Sequence, residues 1–339
     1  MGFGTYLFRR ALRAGLVVLG AAVLIFLLVR VLPGDPARLA LGPNATQEQI
    51  NTLRRIWRLD TPIYEQFFTF IAGLFSGDWG TSLRTRTPVF FDISTFMPAT
   101  AELTLFALFV TVTLGFPLGV IAAANRNKLP DHVSRILSLG GLALPQFWIA
   151  IVLQLALAYY LRLLPVQGRL PIGMDAPQPI TGMYILDSLL TLNWPTFQES
   201  FVHLLLPGSV LSFTSLAQIS RYTRSAMIDE MDKDYVELAK AYGLPRRLVL
   251  YGYMLKNALP ASLTQLALIF GYSFGGALLI EAVYSWPGMG LYIILAVYWK
   301  DLNAITASVV VVALTVSIAT LVSDILNAFI DPRVRLGEK

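Results

Sequence analysis

The chain has 339 residues and no cysteine, with 55% apolar residues, only 14% charged residues and a net charge of +5. Soluble domains run near 25% charged, so a mean hydropathy of +0.62 points to a protein largely dissolved in lipid. The missing cysteines exclude a disulfide-stapled secreted domain, a zinc-thiolate centre and a cysteine nucleophile.

A bilayer-crossing helix needs about 20 apolar residues, and a charge at its centre costs roughly 2.5 to 3.5 kcal/mol, so uncharged runs mark spans. In chain order these runs are 14–29, 103–125, 136–161, 200–220, 257–280 and 302–323. Pro117, Pro145 and Pro207 lie inside them, as bundled helices tolerate. A further uncharged run, 282–299, is interrupted by Pro287, Gly288 and Gly290 and reads as a re-entrant or surface loop. Six crossings put both termini on one side. A signal peptide at the start is disfavoured, because no small-x-small cleavage site follows the first run before Arg30 and Pro33.

The 26 Lys and Arg set the direction. Most fall in 1–13, 125–135, 221–256 and 331–339, whereas the short opposite loops 162–200 and 285–302 hold only Arg162, Arg169 and Lys300. The positive-inside rule therefore places both termini and the 221–256 loop in the cytoplasm, and residues 33–98 outside. The expected divisions are 1–32 (cytoplasmic N-terminus and first transmembrane helix), 33–98 (extracytoplasmic segment), 99–330 (five-helix core) and 331–339 (cytoplasmic tail). The net charge is thus a topology signal that needs no nucleic acid to explain it.

In the outer segment, Thr46 and Gln49 form a capping box ahead of Ile50, Leu53, Ile56 and Trp57, predicting a helix near 46–59. Residues 63–75 form a second amphipathic stretch whose Tyr64, Phe67, Phe68 and Phe70 suit packing on span ends or an interfacial belt. Between the fourth and fifth spans, Tyr235, Leu238, Ala239 and Tyr242 recur at i, i+3, i+4 and i+7 and predict one apolar face, with Glu237 and Lys240 paired on the other. Gly243 and Pro245 end that helix, and a second starts within 246–256. Such a hairpin fits either a groove on a soluble partner or the membrane surface.

Glu237, Leu238, Ala239 and Gly243 resemble the Glu-Ala-Ala, three residues, Gly pattern of permease subunits of bacterial and archaeal ATP-driven (ABC) importers, with Leu238 in place of the first alanine. The wider string Asp234-Tyr235-Val236-Glu237-Leu238-Ala239-Lys240-Ala241-Tyr242-Gly243-Leu244 is similar to the branch importing dipeptides and oligopeptides. The resemblance extends to Pro33-Gly34-Asp35-Pro36, Leu41-Gly42-Pro43 and Gly77-Asp78-Trp79-Gly80-Thr81-Ser82-Leu83. In the middle it includes Asp131-His132, Pro145-Gln146-Phe147-Trp148, Leu164-Pro165-Val166-Gln167-Gly168-Arg169 and Arg221-Tyr222-Thr223-Arg224-Ser225. Near the end come Glu281-Ala282-Val283-Tyr284-Ser285-Trp286-Pro287-Gly288-Met289-Gly290 and Asp331-Pro332-Arg333-Val334-Arg335. Two departures are Pro260, one residue early after Lys256-Asn257-Ala258-Leu259, and Tyr242 where lysine is usual.

The resemblance implies an all-α membrane protein of six transmembrane helices, the type I ABC importer permease fold, with an extracytoplasmic segment between the first and second. It implies a multi-pass subunit of the cytoplasmic membrane that is not itself an enzyme. Asp234, Tyr235, Glu237, Ala239 and Gly243 would belong to the coupling helix seated in an ATPase cleft. The implied assembly adds a homologous second permease, two cytoplasmic ATP-binding subunits carrying ATP and magnesium, and an extracytoplasmic substrate-binding protein. No cofactor or metal is expected on the chain itself, and no Gly-Lys dipeptide is available for a phosphate-cradling loop. The implied cargo is a dipeptide or oligopeptide, with oligosaccharides or nickel chelates as alternatives.

For the pathway, the small and polar residues Gln154, Gly271, Ser273, Gly275 and Gly276 are candidates, with close helix packing as the competing reading. Glu102, Glu281 and Asp324 bound uncharged runs and are expected at interfaces, and His132 and His203 read as structural. A proton-coupled secondary transporter would need midplane carboxylates or matching halves. An intramembrane hydrolase would rest on Gly208-Ser209 near His203, with no H-E-x-x-H or G-x-S-x-G to support it.

Overall fold

Apolar runs in lipid must bond their own backbone, and here they do so as helices. The computed structural model describes residues 3–31, 36–42, 44–56 and 59–330. Helix α1 (Phe3–Val31) is followed by the short α2 (Pro36–Leu41), α3 (Gln47–Ile56) and α4 (Ile63–Ser76). Then come α5 (Val89–Val110), a π-helical turn Thr111–Gly115 and α6 (Phe116–Ala124), which form one 36-residue rod. Helices α7 (Leu129–Ala143) and α8 (Gln146–Leu153) follow, α8 continuing in π-helical form through Gln154–Tyr160. After α9 (Tyr184–Leu190) come the 38-residue α10 (Trp194–Met231) and α11 (Asp234–Ala241). A π-helical Leu248–Leu255 runs into α12 (Lys256–Val283), and α13 (Met289–Tyr298) and α14 (Leu302–Ile330) close the order. Extended pairing among the described residues is a single bridge between Thr81 and Pro88.

Among the described residues, four helices are long and apolar enough to cross a membrane: Gly4–Val29, Val89–Ala124, Trp194–Met231 and Leu302–Val322. Two bent pairs bring the number to six when each is taken as one span. The third uncharged run is therefore not a straight crossing, because Leu129–Ala143 and Gln146–Tyr160 meet at 104°. The cause is local. A proline pushes the residue before it out of helical geometry, and Leu144 (ψ 134°) and Pro145 (ψ 131°) are both extended. Elsewhere Pro98, Pro207 and Pro260 sit within helices. Pro117 follows the π-helical turn, which loosens the backbone next to the ring.

Two other elements differ from the expectation. Residues 282–299, expected as a re-entrant or surface loop, carry a ten-residue helix, α13, that is too short to cross alone. Helix α10 extends eleven residues past the uncharged run, so Arg221 to Met231 are helical rather than part of a loop. At 1.5 Å per residue α10 is about 57 Å long, against a hydrocarbon core of about 30 Å.

Buried side chains gather at the two ends of the bundle. One cluster joins Leu103, Ile149, Leu206, Val210, Ile280, Tyr284 and Trp286 from α5, α8, α10 and the α12 end. Beside it Val89, Ile93, Met289, Tyr292, Ala304 and Ala307 bring α5, α13 and α14 together. A third cluster, at the opposite end, joins Val120, Met227, Val236, Val249 and Met254.

The segment before α5 is folded onto the bundle. The Thr46 capping box forms as expected: the Thr46 N–H donates to Gln49 Oε1 at 2.9 Å and the Gln49 N–H to Thr46 Oγ1 at 3.3 Å. Trp57 lies outside the described residues, as do 32–35 and the tail 331–339. Phe67 and Phe70 of α4 pack on Phe26 of α1, at 5.3 and 5.7 Å between ring centres. Tyr64 and Phe68 remain exposed.

Asp301, at the start of α14, is fully buried. It accepts from Ser82 Oγ (2.6 Å), Leu83 N–H (2.7 Å) and Ala304 N–H (3.1 Å). Replacing Asp301 by alanine leaves buried donors unsatisfied at roughly 1 to 3 kcal/mol each. We therefore expect Asp301→Ala to destabilise the protein by about 3 kcal/mol or more, read as a lowered thermal midpoint in detergent; an unchanged midpoint would refute this anchoring role.

Candidate functional site

Helix α11 sits at the end of α10, where the chain turns at Asp232 and Lys233. Val236 is fully buried and Ala239 is 5% exposed, both packed among Met227, Val249, Met254 and Val120. Tyr235 is partly buried and its hydroxyl donates to Glu230 Oε2 of α10. Burial first, and then the neighbouring carboxylate, raise the phenol above its ordinary pKa, so it stays a donor.

The inward face is thus Tyr235, Val236 and Ala239. The sequence periodicity had grouped Leu238 and Tyr242 with it, but they project outward at 56% and 77% exposure. An eight-residue helix lying along a support buries one narrow stripe, and Val236 at i and Ala239 at i+3 fill it. Glu237 and Lys240 are both exposed, and no ion pair joins them. The outer face therefore offers Asp234, Glu237, Leu238 and Tyr242 to the surroundings.

Gly243 ends the helix as the sequence suggested. Its N–H donates to the Lys240 carbonyl (2.9 Å) and the Leu244 N–H to the Ala239 carbonyl (3.1 Å), a Schellman turn. The turn needs the left-handed φ of +68° at Gly243, a conformation that costs little only for glycine. The second helix begins beyond Pro245, and Arg246 Nη2 donates to the Ala124 carbonyl at the end of α6 (2.7 Å). Nearby, Arg224 of α10 grips buried Asp131 of α7 through Nε (2.5 Å) and Nη2 (2.9 Å). The hairpin therefore rests on α6 and α10, and α10 is itself held to α7.

The pathway candidates do not converge. Gln154 donates to the carbonyls of Val166 (2.8 Å) and Val283 (3.1 Å), tying α8 to the end of α12. Gly271 faces Val316 and Thr320 of α14, and Ser273 bonds back to Ile269 of its own helix. Gly275 borders a small cavity of about 40 Å³; Gly276 is placed within α12. His203 is bonded to the Glu199 carbonyl (2.8 Å), and Gly208 is packed on Phe106. No group of three or more metal-ligating residues occurs among the described residues.

What sequence reasoning missed is a set of buried carboxylates at the opposite end. Glu281 was expected at an interface but is fully buried. It accepts from Thr100 Oγ1 (2.6 Å), Gly290 N–H (2.6 Å) and Leu291 N–H (3.1 Å), so it caps the start of α13. Thr100 Oγ1 also accepts from the Met289 N–H (2.7 Å), and Trp286 Nε1 donates to the Ala99 carbonyl (2.9 Å). Glu102, 6% exposed, pairs with Arg169 at 2.6 Å, whose guanidinium lies 3.4 Å from the Tyr184 ring centre. At the hairpin's own end, the partly buried Asp324 holds Arg10 at 2.8 Å, joining α14 to α1. In the first turn of α9, burial would raise the Asp187 carboxyl, yet the donors at Thr181, Ile180 and Gly182 in the loop before it outweigh this and hold its pKa below the usual range. The signal that could have revealed the Glu281 knot is the glycine spacing: a Cβ at Gly288 would meet Glu281 Oε1 at 2.3 Å, and one at Gly290 the Leu278 Cα at 2.3 Å.

A bundle of long apolar helices that carries an outward-facing helical hairpin on one end defines a membrane protein of several spans. Residues 115–336 match the family described as binding-protein-dependent transport system inner membrane component, and residues 4–104 match its N-terminal membrane-component companion. The chain belongs to this family. It is 39% identical to the probable D,D-dipeptide transport system permease protein DdpB of Escherichia coli K12, over 99% of both chains. It is 36% identical to the dipeptide transport system permease protein DppB of Alkalihalophilus pseudofirmus, over 97% of this chain and 99% of that one. It is 37% identical to the di/tripeptide transport system permease protein DppB of Pseudomonas aeruginosa, over 96% and 98%. The protein is an inner-membrane permease subunit of an ABC importer, with the type I permease fold.

Two outcomes follow from the buried carboxylates. Gly290→Ala forces a Cβ into the α12 backbone and lowers stability by about 1 to 3 kcal/mol, visible as a reduced thermal midpoint; a midpoint equal to that of the unaltered protein would refute the close packing. Asp187 has a depressed folded-state pKa, so its stabilising contribution is present above the ordinary carboxylate pKa and is lost as pH falls through the folded value. Asp187→Asn should therefore flatten part of the acid-side decline of thermal stability; an identical pH profile would count against it.

Proposed function

We propose that this subunit imports di- or oligopeptides through the cytoplasmic membrane, with α11 as the helix that receives the work of ATP hydrolysis. The relatives' names supply the substrate class, since three full-length relatives are described as dipeptide or di/tripeptide permeases. The observation that carries the mechanism is the two-sidedness of α11. Its Val236 and Ala239 are locked into the bundle while Glu237, Leu238 and Tyr242 are presented outward from a turn fixed by Gly243. A short apolar pair beside a carboxylate, on a rigid support, suits a groove on a soluble partner.

In this reading the hairpin and both termini face the cytoplasm, following the distribution of Lys and Arg, and residues 33–98 face outward. Residues 1–32 and the tail 331–339 are then cytoplasmic flanks with the first span, and 99–330 is the permease core. The assembly comprises this chain, a homologous second permease, two ATP-binding subunits that hold ATP and magnesium, and an external binding protein that delivers the peptide. Asp234, Tyr235, Glu237, Ala239 and Gly243 form the coupling contact: Tyr235 and Ala239 seat the helix, Asp234 and Glu237 meet the partner, and Gly243 sets the turn.

Gly243→Asp places a side chain on a left-handed backbone, and Glu237→Lys reverses a charge on the exposed face. Both are expected to cut ATP hydrolysis stimulated by the loaded binding protein at least tenfold in the reconstituted complex, while membrane insertion is retained. Normal stimulation in both variants would overturn the coupling role. The ligand that co-purifies with the binding protein, identified by mass spectrometry, tests the peptide assignment; an oligosaccharide or a nickel chelate there would replace it.

A further inference from the structure

Helix α7 has the reverse polarity of a helix in water. Its small and polar residues Asp131, Ser134, Ser138 and Gly141, at i, i+3, i+7 and i+10, are the buried ones. They meet α10: Ser134 Oγ lies 3.2 Å from Ser220 Oγ, Thr214 Oγ1 donates to the Gly141 carbonyl (3.0 Å), and Arg224 grips Asp131. The apolar side chains lie on the other side, where Leu129 and Ile136 are 76% and 69% exposed and Val133, Leu137 and Leu139 are exposed as well. Small residues pack between membrane helices and large apolar ones meet the acyl chains, so this face of α7 is solvated by lipid.

At the N-terminal end of that face stands a group of cations. Arg126 and Lys128 lie in two consecutive tight turns after α6, closed by the Arg126 N–H on the Ala123 carbonyl (3.1 Å) and the Lys128 N–H on the Asn125 carbonyl (2.9 Å). The loop is held in place by the Asn127 N–H, which donates to Asp131 Oδ2 (2.9 Å). Arg246 reaches the Ala124 carbonyl, so that it and Arg247, at the start of the hairpin's second helix, come to the same seam. All four cations are exposed, and none of them forms an ion pair among the described residues. Asp131, the acid that follows the loop, is fully buried and engaged by Arg224 and Arg135. Ile121 before the loop, Leu129 after it and Leu248 beyond Arg247 are all exposed.

We propose that this seam, between the loop joining α6 to α7 and the start of the hairpin's second helix, binds the phosphate headgroup of an anionic phospholipid whose acyl chains lie along the outward face of α7. Cations alone would suit a free phosphate or an acidic protein surface equally well. The apolar face that continues from them selects an amphiphile. Each Lys or Arg beside an anionic headgroup is worth about fivefold in affinity, and salt screens the attraction. The residues whose charge marks one side of the membrane would thus also hold one class of lipid there. The inference does not depend on the coupling role of α11.

The test titrates the complete transporter complex, in a neutral detergent, with dioleoylphosphatidylglycerol or dioleoylphosphatidylcholine and follows the thermal midpoint. The anionic lipid is expected to raise the midpoint saturably, with an apparent affinity at least tenfold above that of the choline lipid, and the gap should narrow at least threefold between about 50 and about 500 mM salt. The triple variant Arg126→Gln, Lys128→Gln, Arg247→Gln spares the Arg246 bond to Ala124 and should weaken binding of the anionic lipid at least tenfold. The control Arg86→Gln, Arg162→Gln, Lys300→Gln removes three exposed cations from loops at the other end and should leave the preference intact. Equal responses to the two lipids, a preference retained in the first triple variant, or a preference lost in the control would each overturn the site. Inorganic phosphate alone is expected to leave the midpoint unchanged; a shift matching that of the lipid would reassign the seam to a free anion. A preference shown by this chain alone but absent from the complete complex would reassign it to an ATPase contact.

Discussion

The structure depends on the rule that a polar group taken out of water must find its partners inside the protein. Glu102, Glu281 and Asp301 all fall at the edges of uncharged runs, and each is taken inward and satisfied by neighbouring donors. A carboxylate that accepts two or three backbone or hydroxyl hydrogens fixes the relative position of the segments that bring them. Glu281 thereby joins α5, α12 and α13, Asp301 joins α14 to the chain before α5, and Glu102 joins α5 to the loop ahead of α9. Buried from water, such bonds meet no competing solvent, and the acid has no exposed alternative. The apolar clusters at this end are arranged around these knots.

The opposite end is built differently. Here the buried carboxylate of Asp131, gripped by Arg224, holds α7 to α10, and beneath α11 lies small-side-chain packing. A support of alanine, valine and methionine fits the backbone of a short helix closely and leaves its opposite face free. Rigidity on one side and availability on the other arise from the same eight residues.

The spans were legible because charge is expensive in a bilayer, and the capping box at Thr46 and the Gly243 turn were legible because their chemistry is local. The 104° bend was not, since Pro145 lies in a run whose hydropathy is uninterrupted and prolines at 98, 207 and 260 stay inside helices. Composition carries no direction. The face of α11 was misread for a related reason: four apolar residues at helical spacing identify a stripe, but the support selects Val236 over Leu238 and Tyr242 by size and by position. The buried acids were taken for interfacial ones because a sequence shows where a charge lies along the chain, and only the fold shows which donors surround it.

The eleven helical residues by which α10 outruns its apolar stretch, Arg221 to Met231, correspond to about 16 Å of rise. Helix α11 folds back from the end of this extension, so that Val236 and Ala239 lie against Val120 of α6 as well as Met227 of α10. The length of the overhang therefore decides where along α6 the hairpin is held.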